Sequence, residues 1–122
     1  MVFPQASQAT TISMAEIIWT EPALGDLNSI AEYIALDKLD AASHLVQRVF
    51  EHVEMLAQHP ELGPRIPELR PASRYRQLVE DPCRVFYRHE KATGKVFILG
   101  VMRGEKLFQR RLLRRRDKNT EP

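Results

Sequence analysis

The run Val96-Phe97-Ile98-Leu99-Gly100-Val101-Met102 constrains this chain more than any other segment. It is apolar at nearly every position, short and β-rich, so it reads as a strand buried on both faces. Such a strand belongs in the interior of a sheet. Two shorter strands are predicted before it, over Tyr75 to Glu80 and Arg84 to His89. Asp81-Pro82 and Ala92-Thr93-Gly94 turn the chain between them. The three form an antiparallel meander, with the third strand spanning Lys95 to Met102.

The preceding part of the chain has a helical period. Thr20-Glu21-Pro22 is a helix start, with Thr20 as cap and Pro22 in the first turn, where its missing N–H costs nothing. Leu24, Leu27, Ile30, Ala31 and Ile34 then make one apolar stripe, with Glu21 and Asp26 in the early turns that favour acids. After a break at Asp37 to Asp40, with Asp40 as N-cap, a second amphipathic helix runs to about Gln58. It carries Ala42, Leu45, Val46, Val49, Val53 and Leu56. So short a break makes the pair an antiparallel hairpin. His59-Pro60 ends the second helix. Ile17-Ile18-Trp19 precedes the hairpin as a strand. Glu105 to Arg116 follows the meander as a short basic helix, with Leu107, Phe108 and Leu112 on one side. The order β-α-α-β-β-β-α gives an α+β fold, with the hairpin packed on one sheet face.

At 122 residues the chain is one domain. Residues 14–118 are assigned to it. Residues 1–13 read as a disordered lead, or as sequence ahead of a start at Met14, and 119–122 as a disordered tail. No apolar run approaches a membrane span, and the first thirteen residues lack the pattern of a signal peptide. The single cysteine, Cys83, excludes an internal disulfide and fits a reducing compartment.

The formal net charge of +2 conceals a division. From Ala15 to Gly63 two basic residues meet nine acidic ones, a net of −7, whereas Pro64 to Lys118 carries sixteen basic and six acidic residues, a net of +10. The basic half suits an acidic or polyanionic partner; the alternative is surface charge clustered along the sequence.

No metal-ligand spacing, phosphate loop or nucleophile elbow is present, and no cofactor or metal is expected. His44, His52 and His59 read as solvent-facing and Cys83 as a small semi-buried thiol. The informative residues are basic. Arg84 and Arg88 share a parity and face one side of their strand. Arg76 lies on the neighbouring strand, and Arg103 ends the central one. Arginines so gathered bind phosphates or an acidic partner, or else pair with acids of their own fold. Lys106, Arg110 and Arg114 keep i,i+4 spacing on the terminal helix. They are either a solvated face or a contact for acidic protein or nucleic acid.

The segments IIWTEPALGDLNSIAEYI, LAQHPELG, YRQLVEDPCRVFYR and VFILGVMRGEKLFQRRLL, in this order, resemble the RelE/ParE superfamily of toxins from bacterial type II toxin–antitoxin modules. The resemblance covers Met14 to about Arg116. It implies either of two activities: ribosome-dependent cleavage of mRNA, as in RelE-like members, or inhibition of DNA gyrase without cleavage, as in ParE-like members. It also implies a cognate antitoxin whose tail wraps the toxin, expected here across the basic sheet side and the helical stripe.

The RelE-type site places arginines where Arg84 and Arg103 stand. Two lysine positions of that site fall on Tyr75 and Gln77, which carry no positive charge, and its terminal tyrosine falls near Phe108, which has no proton to give. His89 could substitute as a base, but it stands at a strand end beside Glu90 and nothing in the sequence aims it. Attack of a 2′-hydroxyl on phosphate needs a base, an acid and charge stabilisation. The resemblance therefore favours the ParE-like branch, a gyrase-binding protein rather than an enzyme. The antitoxin- or target-binding residues are expected to be Arg76, Arg84, Arg88, Arg103, Lys106, Arg110 and Arg114.

Overall fold

A computed structural model describes residues 14–104 and 106–120 of the chain; the expected lead at 1–13 lies outside the described residues. Strand β1 (Glu16–Trp19) leads into helix α1 (Glu21–Ala35) and helix α2 (Leu39–Glu54), which tightens into a 3-10 turn at Met55–Ala57. Strands β2 (Tyr75–Glu80), β3 (Cys83–Glu90) and β4 (Lys95–Arg103) follow, and helix α3 (Arg110–Lys118) closes the order. The architecture is α+β, as the periodicities predict.

The sheet order is β1-β4-β3-β2, so the apolar run does lie in its interior. The meander is antiparallel, with Val85 opposite Val101 and Val79 opposite Arg84. Strand β1 adds to the far side of β4 in parallel, Ile17 opposite Val96, which makes the sheet mixed.

Two apolar layers form because β3 and β4 alternate. Cys83, Val85, Tyr87, Val96, Ile98 and Val101 turn toward the helical hairpin, where they meet Ala23, Leu27, Leu45, Val49 and Val53. Phe86, Phe97 and Leu99 turn the other way, against Ile66, Leu113 and Phe108. A shift of register between Phe86 and Tyr87 re-phases β4, so that Leu99 and Val101 point to opposite layers.

The start of α1 is tied to the central strand. Thr20 Oγ1 accepts from the Ala23 N–H at 3.4 Å and donates to the Ile98 carbonyl at 2.7 Å. The stripe of α1 sits one position from its predicted place at the start: Ala23 is buried, while Leu24 is 41% exposed. In α2 the cap position is Lys38, without a side-chain bond, and Asp40 lies in the first turn, where the helix dipole still favours an acid. The α-helix ends at Glu54 rather than near Gln58, because the 3-10 turn takes over to bury Leu56 and Ala57.

The segment between α2 and β2 covers the outer edge of β2. The Gln77 N–H donates to the Pro64 carbonyl at 3.0 Å, and Arg65 bridges to Arg76. Gly63 makes the approach possible: a Cβ there would stand 2.2 Å from the Gln77 carbonyl oxygen.

The largest departure from expectation is at the C-terminus. Helix α3 runs from Arg110 to Lys118, not from Glu105 to Arg116, and buries Leu113 and Asp117. Leu107 lies outside it at 86% exposure, and Leu112 is 37% exposed. Of the expected tail at 119–122, Asn119 and Thr120 form a turn, with their N–H groups on the Arg116 and Asp117 carbonyls, and 121–122 lie outside the described residues.

Candidate functional site

Arg84 and Arg88 do share a face, together with Phe86 between them, and that face is covered. Arg84 donates through Nε to Gln77 Oε1 at 2.9 Å and through its two terminal nitrogens to both Glu68 oxygens, at 3.0 and 2.7 Å. Its guanidinium lies 5.1 Å from the centre of the Phe86 ring and 5.7 Å from that of Phe108. The bidentate pair, chiefly its hydrogen bonds, holds the Glu68 carboxyl below the usual carboxylate range.

Arg88 is only 5% exposed. Its Nε donates to Asp117 Oδ1 at 2.7 Å and a terminal nitrogen donates to Thr120 Oγ1 at 3.2 Å, with the Phe97 ring 4.9 Å away. Asp117, on α3, also accepts from Arg74 at 2.7 Å and from the Tyr75 hydroxyl at 2.8 Å. Burial, and then the Asp117 carboxylate beside it, push the Tyr75 phenol up. Both arginines are thus neutralised by acids of their own fold, the third of the readings open at the level of sequence.

Arg76 does not join them. It stands opposite Tyr87 in the ladder and so faces the hairpin layer, while Gln77 stands opposite Phe86. Its guanidinium donates to the Gly63 carbonyl at 2.8 Å and lies 3.8 Å from Glu61. Glu61 gathers Lys91 at 3.3 Å and His89 at 3.5 Å as well, and its carboxyl is lowered mainly by Lys91. His89 is five positions along β3 from Arg84, about 17 Å at strand rise, and on the opposite face.

Arg103 is also separated from Arg84. It pairs in register with Cys83, which faces the hairpin, and lies 5.0 Å over the Tyr33 ring of α1. Arg84 pairs with Met102 and faces the other layer. Phe108 packs edge-on against Phe86 with ring centres 5.2 Å apart. His89 therefore stands apart from Arg84, whereas Phe108 lies beside the Arg84 guanidinium and shares a groove lining with Arg103.

A second arginine–aspartate link anchors α3. Arg116 donates to both oxygens of Asp26, at 2.5 and 3.2 Å, and to the Leu99 carbonyl at 3.0 Å. Asp26 also accepts the Val101 N–H at 3.0 Å. Gly100 lies beneath this link, where a Cβ would come 2.7 Å from the guanidinium. Asp26 was legible only as an early-turn acid; nothing in the sequence pairs it with Arg116.

The exposed cations collect elsewhere. Lys106 precedes α3 and so leaves the predicted helical row, but Arg110 and Arg114 stay in it. With Arg111, Arg115 and Lys118 they form one wall of a groove of about 860 Å³, whose other wall is the segment from Leu69 to Tyr75, including Arg70 and Arg74. Among the described residues lining it none is acidic. The spacing 110, 111, 114, 115, 118 was the signal for this wall, visible in sequence once the helix is placed correctly. A smaller groove of about 410 Å³ lies on the other side of α3, toward α1. It has Ile30, Phe86, Phe108 and Leu112 in its walls and Arg103 and Lys106 among its lining residues. No group of three metal-ligating side chains gathers among the described residues.

A family model described as the ParE toxin of the type II toxin–antitoxin system parDE matches residues 17–108. The chain belongs to this ParE toxin family. The toxin is 34% identical over 94 residues to Toxin RelE2 of Caulobacter vibrioides, an alignment covering 77% of this chain and 100% of that protein. Among solved structures it resembles a chain of the chromosomal ParDE system from P. aeruginosa, at 26% identity and a TM-score of 0.62, covering 75% of this chain and 98% of that one. It shares its fold with a chain of the RelBE2 toxin–antitoxin complex from Mycobacterium tuberculosis, at 21% identity and a TM-score of 0.51, covering 74% and 98% of the two chains. The same holds for an E. coli RelE variant in the free state, at 16% identity and a TM-score of 0.53, covering 75% and 85%. No helix among the described residues is long and apolar enough to cross a membrane.

Proposed function

We propose that this toxin arrests growth by docking on DNA gyrase in the bacterial cytoplasm and that it catalyses no cleavage of its own. The observation that carries this reading is that none of the expected nuclease residues sets a proton donor or acceptor for catalysis beside Arg84: Phe108 has no proton to give, and His89 lies about 17 Å along β3 on the other face. Arg84 is saturated by Glu68 and Gln77, Arg103 lies on the other face over Tyr33, and Phe108 is a packing residue. A cleavage step needs these groups around one phosphate. The likeness to the ParDE chain at 26% identity agrees with it.

A cognate antitoxin completes the reading. Of the sheet arginines where its tail was expected, Arg88 is buried against Asp117 and Arg84 is held by Glu68, while the helical stripe packs on the sheet. The smaller groove offers what an acidic amphipathic segment needs: an apolar floor and the cations Arg103 and Lys106.

Supercoiling by purified gyrase in the presence of the toxin tests the target. Inhibition at micromolar toxin, reversed by antitoxin, is the expected result; undiminished supercoiling would reject it. The likeness to Toxin RelE2 gives the nuclease reading a specific competitor's standing. Primer extension on mRNA after toxin induction separates the two. Codon-positioned cuts that vanish in Arg84→Ala and Arg103→Ala would select the nuclease.

A further inference from the structure

The arginines of this fold fall into two groups. Arg48, Arg74, Arg76, Arg84, Arg88 and Arg116 each meet a carboxylate within 4.0 Å, at Glu80, Asp117, Glu61, Glu68, Asp117 and Asp26 respectively. The cations of α3 other than Arg116 share one side of the helix. At about 100° per residue, Arg110, Arg111, Arg114, Arg115 and Lys118 fall within an arc of about 140°. That arc faces the larger groove, while Leu113 and Asp117 face the sheet. Across the groove stand Arg70 and Arg74.

This wall works against the helix that bears it. Arg110 with Arg114, Arg111 with Arg115 and Arg114 with Lys118 are like-charged i,i+4 pairs, which destabilise a helix. Arg110 and Arg111 also occupy the first turn, which holds no acid and whose dipole disfavours cations. The last turn, with Arg115 and Lys118, suits the dipole, but folding gives no reason for Arg110, Arg111 and Arg114; a polyanion bound along the helix does.

We infer that the groove between α3 and the segment Leu69 to Tyr75 binds the sugar–phosphate backbone of duplex DNA. The choice of duplex rests on the gyrase reading, since gyrase works on duplex DNA and a toxin docked there lies beside it. The choice of phosphate over peptide carboxylate rests on the groove itself. Its cations are arginines but for Lys118, which suits forked contact with phosphate oxygens. An acidic peptide that folds on binding needs apolar anchors, and these lie in the smaller groove instead. Helix α3 is about 13 Å long, the span of roughly four phosphates of one strand.

The test is fluorescence anisotropy of the full-length toxin with a labelled 20-base-pair duplex, in the absence of gyrase. Four phosphate contacts give a slope of log affinity on log salt of about −3.5, so affinity falls roughly 100-fold between 50 and 200 mM salt. Arg110→Glu with Arg114→Glu lowers the slope by about 2 and weakens binding more than tenfold at 50 mM. Arg115→Gln with Lys118→Gln, a milder pair that keeps the helix uncrowded, lowers the slope by a similar amount. Melting temperatures no lower than the parent's show that both variants fold. Duplex binding equal in the parent and both variants would overturn the inference. So would a polyglutamate peptide of equal charge binding as tightly as the duplex, or single-stranded RNA of the same sequence binding more tightly. Because gyrase is absent, failure here leaves gyrase docking standing, and failure of supercoiling inhibition with intact duplex binding removes only the gyrase reading.

Discussion

Substitution of Asp117 by alanine probes the principal link between the C-terminal helix and the sheet. Asp117 is 1% exposed and accepts from Arg88, Arg74 and the Tyr75 hydroxyl. The three losses differ in kind. Arg88 would keep its charge while 5% exposed, and an uncompensated buried ion costs about 3–5 kcal/mol. The buried Tyr75 hydroxyl would lose its acceptor, at a cost of about 1 kcal/mol or more. Arg74, with a side chain 58% exposed, would turn to water at a cost of about 0–1 kcal/mol. The sum is about 4–7 kcal/mol, against about 5–15 kcal/mol for a whole domain. At about 4 °C per kcal/mol, melting should fall by about 16–28 °C. Thermal and urea unfolding measure this directly. Adding Arg88→Met to Asp117→Ala removes the orphaned charge and should restore about 2 kcal/mol or more, although it takes away a second polar group. An Asp117→Ala protein within about 1 kcal/mol of the parent, or a double variant no more stable than the single one, would refute the reasoning.

Other substitutions test neighbouring parts of the structure. Gly63→Ala drives a methyl group into the Gln77 carbonyl and should cost about 1–3 kcal/mol in urea unfolding. Tyr87→Phe leaves the Gly63 N–H without its 2.9 Å acceptor and should cost about 1–3 kcal/mol at pH 8. The phenols of Tyr75 and Tyr87 are raised, chiefly by burial, from an ordinary value of 10.0. The native state therefore holds their protons more tightly than the unfolded chain. Their contribution is complete below pH 10 and drains as pH rises through the raised values, so Tyr87→Phe should shed part of this alkaline loss. Glu68→Gln should change stability at neutral pH by less than about 1 kcal/mol, because the carboxylate is partly exposed. Its lowered carboxyl contributes above 4.5 and is lost as pH falls through the lowered value, so the variant should unfold less steeply between pH 5 and 2. Arg103→Glu with Lys106→Glu should weaken antitoxin binding at least tenfold by calorimetry if the smaller groove receives its tail.

Some of the candidate site was legible in sequence. Arg84 and Arg88 were correctly placed on one face because strand parity needs no tertiary information. Arg76 was placed on the correct neighbouring strand, but its face was not legible, since that depends on the register of β2 against β3. Lys106 was placed on a helix that begins only at Arg110, because Leu107 and Phe108 mimic an apolar stripe. Phe108 does pack inward, but from an extended segment, against Phe86.

The sequence by itself determined the order of elements, the two amphipathic helices and the interior position of the apolar strand. It also carried the separation of an acidic hairpin from a basic half. All of these follow from local periodicity and charge, which are properties of neighbouring residues. Tertiary structure decided which charges remain available. Arg84 meets Glu68 from 16 residues away, Arg88 meets Asp117 from 29 and Arg116 meets Asp26 from 90. No sequence period encodes pairings at such separations, because they arise only when the sheet, the covering segment and the last helix close on one another. That closure neutralises the arginines that looked most functional and leaves the cations of α3 facing the groove.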